Sequence, residues 1–244
     1  MASEIGLNFT QVEFAQHPYY PLGVAVVGYA ANQWSLLLLL GAFAVAWSTV
    51  LGAAYFVVAK KQPTMPVSEV LTFMWFVLSG SIHLFFEGFY VYNFRDLASS
   101  QHLFGQLWKE YSLSDSRYLT SDPFVLCMEA VTAICWGPLC MVLAYMMITN
   151  SPLRHPLQIV ISLGQIYGDV LYFATNFFDE TILGVTYCRP GAYYYWFYYF
   201  FFNAIWIFIP SILIWRSFAA CQGAFEAFTK QEASPKSKGA VKKE

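Results

Sequence analysis

Charged residues are scarce in this chain. Only 11% of its 244 residues are Asp, Glu, Lys or Arg, whereas 58% are hydrophobic. Soluble domains carry about 25% charged residues, so this composition is typical of a protein that resides in lipid. The net charge of −2 argues against a nucleic-acid partner, which would require a basic face. The length suits one compact membrane domain.

Cysteine and histidine are too scattered for a disulfide framework or a metal centre. The five cysteines form no CxxC pair, and three of them lie within one apolar run, where we expect small core residues. The four histidines lie far apart in sequence, and a metal site needs several converging ligands. We therefore expect no metal. A removable signal peptide is not expected either, because the first 30 residues contain no Lys or Arg.

Five apolar segments are each long enough to cross a bilayer, which requires about 20 residues. They are Trp34–Val58, Val70–Tyr92, Phe124–Ile148, Leu157–Phe178 and Ala192–Trp215. We predict an all-α integral membrane protein with an N-terminal segment over 1–32, a five-helix membrane domain over 33–218 and a polar tail over 219–244.

The distribution of Lys and Arg predicts the orientation of these spans. Nine of the 13 basic residues fall on the side that holds the C-terminus, and four fall on the other side. The sequence therefore predicts a cytosolic C-terminus and an N-terminus that is outside the cell or in an organelle lumen.

Ionisable residues inside the second and third spans are the most informative feature. His83 and Glu87 lie four residues apart in the second span, and Glu129 lies in the third. Because positions i and i+4 share one face of a helix, His83 and Glu87 are expected to face the same space. A charge in the hydrocarbon region is costly, and it is normally kept only where it is paired or functional.

Spans two to five each carry a polar stripe at helical spacing, and the first span carries almost none. We predict that four helices enclose a polar interior, that aromatic residues (20% of the chain) wall a cavity for a bulky apolar ligand, and that the first helix packs outside. The stripes comprise Ser79, His83, Glu87 and Tyr90; Glu129, Thr132 and Trp136; Gln165, Asp169, Tyr172 and Asn176; and Tyr199, Asn203 and Trp206.

Each of these residues also has a structural interpretation. His83 alone would be satisfied by a backbone carbonyl, Glu129 would anchor a neighbouring helix, and Asn203 would join two helices. For Asp169 we favour a supporting role. The loop 93–123 contains several residues typical of a binding lid, but a solvated connector explains its composition equally well.

The chemistry that these residues suit is acid–base work and stabilisation of positive charge. The sequence holds no Ser or Cys paired with a histidine for nucleophilic attack, no glycine-rich phosphate loop, and no flavin or nicotinamide motif. Two carboxyl groups in different environments can divide acid and base roles. A carboxylate and an indole face both stabilise a cation. The set suits a reaction through a carbocation, and it equally suits binding of a cationic amphiphilic amine.

Seven short motifs, in order, carry a family resemblance. They are HLFFEG from His83, LWKEY from Leu107, DSRY from Asp115, CME from Cys127, WGP from Trp136, GQIYGDVLY from Gly164 and NAIW from Asn203. Together they resemble the emopamil-binding protein family of sterol Δ8–Δ7 isomerases over about residues 34–217, and the plant-type members in particular.

The resemblance implies five transmembrane helices that hold a sterol between helices two to five, in the endoplasmic reticulum and often as a homodimer. It implies a shift of the B-ring double bond from C8–C9 to C7–C8 without any cofactor, and binding of cationic amphiphilic amine inhibitors. It places the required residues at His83, Glu87, Glu129, Thr132, Asn203 and Trp206. It also implies pocket positions at Met128, Trp108 and Tyr118, and we add Asp169 as a candidate substrate contact.

We hypothesise a role for each required residue. His83 and Glu87 together donate a proton at C9, while Glu129 and the face of Trp206 stabilise the cation at C8. Thr132 and Asn203 orient the carboxylates. The C7 proton leaves either to Glu129 or to the His83–Glu87 pair.

Two other functions remain open. A receptor of the same fold would bind a sterol or an amine without chemistry. A proton-linked carrier is disfavoured, because the sequence has no inverted repeat and no broken helix pair. The chain ends Val241-Lys-Lys-Glu244, which departs from a cytosolic dilysine retrieval signal.

Overall fold

The structure, a computed structural model, describes residues 16–233, and within that range all regular structure is helical. Five helices are long and apolar enough to span a membrane: α1 (Leu36–Lys61), α2 (Val67–Asn93), α4 (Pro123–Ile148), α5 (Arg154–Leu183) and α6 (Tyr193–Ala233). A short helix, α3 (Leu103–Tyr111), lies in the loop between α2 and α4. The prediction of five membrane spans and an all-α fold is confirmed.

Local sequence signals explain where the spans begin and end. Asp122 caps α4 by accepting a hydrogen bond from the Val125 amide, and Pro123 occupies the first turn, where its missing N–H costs nothing. Gly184 follows α5 in the left-handed conformation, with a φ of 68°, which a glycine adopts without strain. Helix α6 continues to Ala233, so the tail that we predicted from residue 219 begins within a helix. The dilysine-like end lies outside the described residues.

Helix α1 packs on the outside of the other four spans. Only Leu39, Ala54 and Val58 of α1 are buried, which agrees with its lack of a polar stripe. Helices α2 and α4 meet through glycines: a Cβ added to Gly80 would lie 3.0 Å from Cβ of Cys140, and one added to Gly137 would lie 3.2 Å from Cβ of His83. Small residues allow this close approach, and it brings His83 against α4.

Glu69 ties three spans together at one end of the bundle. Its carboxylate lies 2.9 Å from Arg154 and 2.6 Å from Arg216. These contacts join α2 to α5 and α6 at the end opposite the long loop. They fix α2, α5 and α6 relative to one another at this end.

The loop between α2 and α4 is packed against the helices rather than solvated. Asp115 and Arg117 are fully buried and form an ion pair at 2.7 Å. The segment before α1 lies over α3: the amides of Gln33 and Trp34 donate to Oε1 of Gln106, at 2.8 and 2.9 Å. The interpretation of this loop as a solvated connector is therefore wrong.

Lys109 in α3 is a buried cation, and this makes the stability of the fold depend on pH. It is 1% exposed, and its Nζ donates to the Ala30 carbonyl at 2.7 Å. Burial lowers the pKa of Lys109 from 10.5 to about 8. Between about pH 8 and pH 10.5 the unfolded chain therefore binds up to one proton more than the folded chain, and the free energy of unfolding rises with pH over this range.

We expect the thermal midpoint of the purified protein to rise by about 2–4 °C between about pH 8 and pH 9.5. The Lys109→Met variant should lack this rise, because it has no proton to release. The measurement is a melting curve in detergent at each pH. An equal rise in both proteins would contradict the assignment to Lys109.

Candidate active site

A cavity lies between α2, α4, α5 and α6, and Tyr118 of the long loop forms part of its wall. Most of the side chains around it are polar or charged. Its lining residues are His83, Glu87, Tyr118, Met128, Glu129, Thr132, Gly164, Gln165, Gly168, Asp169, Tyr172, Asn203 and Trp206. Residues from the polar stripes of four spans therefore meet at one cavity, whereas five stripe residues are not part of its lining: Ser79, Tyr90, Trp136, Asn176 and Tyr199.

A π-helical turn presents the acid–base pair of α2. The turn covers Ile82–Glu87, and the Gly88 amide bonds to the His83 carbonyl five residues earlier. Such turns often occur at functional sites. Nδ1 of His83 lies 2.6 Å from Oε2 of Glu87, and both residues are buried. The predicted i, i+4 pair is thus a direct hydrogen bond.

The other nitrogen of the His83 ring contacts α5. Nε2 of Gln165 lies 3.2 Å from Nε2 of His83. Both ring nitrogens are therefore engaged by protein groups. Gln165 belongs to the polar stripe of α5, but it was not among the predicted site residues, because spacing along α5 does not reveal contacts with α2.

Glu129 on α4 accepts hydrogen bonds from two hydroxyl groups. The Tyr118 hydroxyl donates to Oε1 at 2.7 Å, and the Thr132 hydroxyl lies 3.3 Å from Oε2. Glu87 lines the same cavity as Glu129, so two carboxyl groups from different helices face one space.

Trp206 on α6 covers the His83 ring. The two ring centroids lie 5.0 Å apart, and Trp75 packs against Trp206 at the same distance. An indole face attracts a cation. Trp206 can therefore stabilise positive charge on the imidazole ring as well as on a ligand in the cavity.

Two residues expected at the site have different partners. The amide nitrogen of Asn203 donates to the Tyr111 hydroxyl at 2.9 Å and to the Tyr199 carbonyl at 2.6 Å. It lines the cavity, but its donor group orients no carboxylate as we had hypothesised. Trp108 donates to the Phe86 carbonyl and stacks on the Phe86 ring. Its ring centroid lies 4.7 Å from that of Tyr118, so Trp108 packs behind Tyr118 and is not part of the cavity lining.

The loop positions Tyr118 through a buried ion pair. Arg117 is held by Asp115 and donates to the Thr175 hydroxyl at 2.9 Å. Burial acts to lower the pKa of Arg117, but the adjacent Asp115 carboxylate outweighs burial and raises it. Arg117 therefore stays charged, and the neighbouring Tyr118 is held against Glu129.

Met128 and Asp169 line the cavity. The Oδ2 atom of Asp169 and the hydroxyl of Tyr172 are buried without a hydrogen-bond partner. Buried polar atoms normally find partners. These two atoms are therefore available to a polar group of a ligand, which is more than the supporting role that we favoured for Asp169.

Gly164 allows α5 to approach α4 closely beside the cavity. A Cβ on Gly164 would lie 2.3 Å from Cζ2 of Trp136, closer than any van der Waals contact. Gly164 begins one of the seven motifs, but helical spacing does not reveal its contact with Trp136.

Gly164→Ala is expected to destabilise the protein by about 1–3 kcal/mol, because the indole of Trp136 would have to move. The thermal midpoint should fall, and turnover should fall with it since Gly164 borders the cavity. Gly41→Ala in α1 is the matched control, because a Cβ there meets nothing within 4 Å. Equal melting curves for the two variants would contradict this account.

Comparisons with known proteins show which family the chain resembles in sequence. Residues 103–217 match the family model described as EXPERA, the expanded EBP superfamily. The chain is similar to the rat protein named 3-beta-hydroxysteroid-Delta(8),Delta(7)-isomerase, with 37% identity over 204 residues, 81% of this chain and 85% of the relative.

Plant proteins are similar too. One is a probable 3-beta-hydroxysteroid-Delta(8),Delta(7)-isomerase of Oryza sativa subsp. japonica, with 28% identity across 86% of this chain and 94% of the relative. Another is a protoglabretal synthase of Citrus sinensis, with 37% identity across 61% of this chain and 68% of the relative.

Proposed function

The chain belongs to the EBP family, and from this premise we propose that it is a sterol Δ8–Δ7 isomerase, an enzyme that moves a carbon–carbon double bond within a sterol ring. The observation that carries the proposal is the meeting of His83, Glu87 and Glu129 at one cavity inside a membrane-spanning bundle. A bound sterol needs an apolar cavity. Moving its double bond needs one acid and one base, and no oxidation or reduction.

The first step is protonation of C9 by the His83–Glu87 pair. Both nitrogens of His83 contact Glu87 or Gln165, so we assign the transferred proton to the Glu87 carboxyl, with His83 as its partner. The π electrons of the C8–C9 double bond form the new C9–H bond. Glu87 becomes a carboxylate, and the positive charge appears at C8.

The second step is stabilisation of that cation and loss of the C7 proton. The carboxylate of Glu129 and the face of Trp206 both border the cavity and favour positive charge. We assign Glu129 as the base, because it is the second carboxyl group of the helix pair α2 and α4 that lines the cavity. The C7–H electrons form the C7–C8 double bond, Glu129 gives its proton to solvent, and Glu87 takes up one proton from solvent before the next turnover. Atoms and charge balance with no co-reactant.

Sterol binding requires the cavity to widen. Its volume is about 70 Å³, whereas pockets for small molecules typically measure about 300–1,000 Å³. The flexible Met128 side chain is suited to such adjustment. Asp169 and the Tyr172 hydroxyl are candidates to bind a polar group of the sterol, because each has an unpartnered buried oxygen.

We propose residence in the membrane of the endoplasmic reticulum, with the N-terminus in the lumen and the C-terminus in the cytosol. The excess of basic residues at the ends of α1 and α6 supports this orientation. A homodimer follows from the family resemblance alone. Cationic amphiphilic amines are expected to bind at the same cavity, because they resemble the cationic intermediate in charge.

The test is incubation of the purified protein with a Δ8-sterol, followed by identification of the product by mass spectrometry. Conversion to the Δ7-sterol is expected. A Δ8-sterol that binds but stays unchanged would instead make the protein a sterol or amine receptor of the same fold.

A further inference from the structure

Gln165 is the cavity residue whose contact has no role in the steps above. Its side chain is buried, on α5, and its amide group meets Nε2 of His83 at 3.2 Å. On the opposite side of the same ring, Nδ1 meets Glu87 at 2.6 Å. The imidazole is thus bridged between a carboxyl group and a carboxamide.

The His83–Glu87 pair can hold either one proton or two. With one proton in the pair, Nδ1–H of His83 donates to the Glu87 carboxylate, and Nε2 accepts a hydrogen bond. With a second proton taken up from solvent, Nε2 carries a hydrogen that it donates, and the proton between Nδ1 and Glu87 lies on Glu87; Nε2 keeps its hydrogen while Glu87 gives its proton to C9 and regains one. The partner of Nε2 must therefore be a donor in the one-proton state and an acceptor in the two-proton state.

We infer that Gln165 is a positioning residue for proton transfer, whose carboxamide sets which nitrogen of His83 carries the proton and so keeps the transferable proton on Glu87. This inference rests on the proposed isomerase function. A carboxamide suits the role because it offers an N–H and a C=O at nearly the same place. Its Oε1 is buried without a partner, so no bond at that atom resists a reversal of the amide.

The surroundings of the ring leave this role to Gln165. The other titratable groups of the surroundings are Glu87 on α2, Glu129 and Cys140 on α4, Asp169 and Tyr172 on α5, and Tyr118 in the loop. Helix α6 contributes Asn203 and Trp206, which do not titrate. Of these side chains, Glu87 and Trp206 contact the ring directly, and neither is placed to bond Nε2.

The test is the steady-state kinetics of Gln165→Met, which retains the volume but has no hydrogen-bonding amide. We expect kcat to fall about 10- to 100-fold with little change in KM, as for other partners that orient a functional histidine. The solvent deuterium isotope effect on kcat should rise, because proton transfer becomes slower. In Gln165→Glu, a second carboxylate favours the doubly protonated ring, so the pH profile of kcat should shift to higher pH by about one unit.

Gln158→Met is the matched control. Gln158 lies on the same helix, is equally buried, and donates to the Leu213 carbonyl at 3.1 Å, away from the cavity. The Gln158→Met variant should change the thermal midpoint at least as much as Gln165→Met does. Its isotope effect on kcat and its pH profile should be those of the wild type.

Two outcomes would overturn the inference. One is an unchanged kcat in Gln165→Met. The other is a loss of activity that follows the thermal midpoint, with the isotope effect and pH profile of the wild type. A wild-type protein that converts no Δ8-sterol would instead overturn the proposed function itself.

Discussion

Glu87→Gln is expected to lose at least about 10³-fold in kcat while remaining folded, because a carboxamide cannot transfer the proton that starts the reaction. Gln has nearly the same shape, and its carboxamide can still form a hydrogen bond with Nδ1 of His83, which lies 2.6 Å from the Glu87 carboxyl group. The thermal midpoint should therefore stay within a few degrees of the wild type. The measurement is the initial rate of Δ7-sterol formation, with melting curves for both proteins.

Glu69→Gln is the matched control on the same helix. Glu69 pairs with Arg154 and Arg216 at the end of the bundle, outside the cavity. Its substitution should lower stability modestly and leave the turnover of folded protein near that of the wild type. Wild-type turnover in Glu87→Gln would contradict the assignment of the transferred proton.

Glu129→Gln is expected to lose about 10²- to 10³-fold in kcat for a different reason. The substitution removes the negative charge beside the cation and the base that takes the C7 proton. Binding of a cationic amphiphilic amine should weaken along with kcat, whereas binding of a neutral sterol should change little. Parallel kinetic and binding assays measure the two effects.

Tyr118→Phe provides the graded comparison. It removes one hydrogen bond to Glu129, of 2.7 Å, and leaves the charge in place, so its loss should be much smaller. Equal losses in the two variants would show that the hydrogen bond, and not the charge, is what matters at Glu129.

The helices and most of the site residues could be predicted from the sequence because each depends on local rules. Apolar runs of sufficient length specify the spans, and i, i+4 spacing places His83 beside Glu87. The polar stripes on α2, α4, α5 and α6 converge because the lipid outside them excludes polar groups.

Contacts between helices could not be predicted, because spacing along one helix does not define what another helix presents. The bond between Gln165 and His83 depends on how α5 sits against α2. The partners of Asn203 depend on the path of the loop, which brings Tyr111 to α6. The π-helical turns at Ile82–Glu87 and Thr132–Trp136 also had no signal in the periodicity that we used.

Loop burial was missed for a related reason. Charged residues such as Lys109 and Arg117 usually lie in solvent, and their composition supported a solvated connector as well as a lid. Their burial depends on Asp115 and on the segment before α1, which supply the partners.

The most direct test of the central claim is turnover of a Δ8-sterol in deuterated water, with the position of the label in the product determined. Protonation by the Glu87 carboxyl predicts a Δ7-sterol that carries one deuterium at C9 and has lost one hydrogen from C7. A Δ7-sterol without solvent deuterium at C9 would contradict it, because the hydrogen would then have moved within the sterol without exchanging through Glu87.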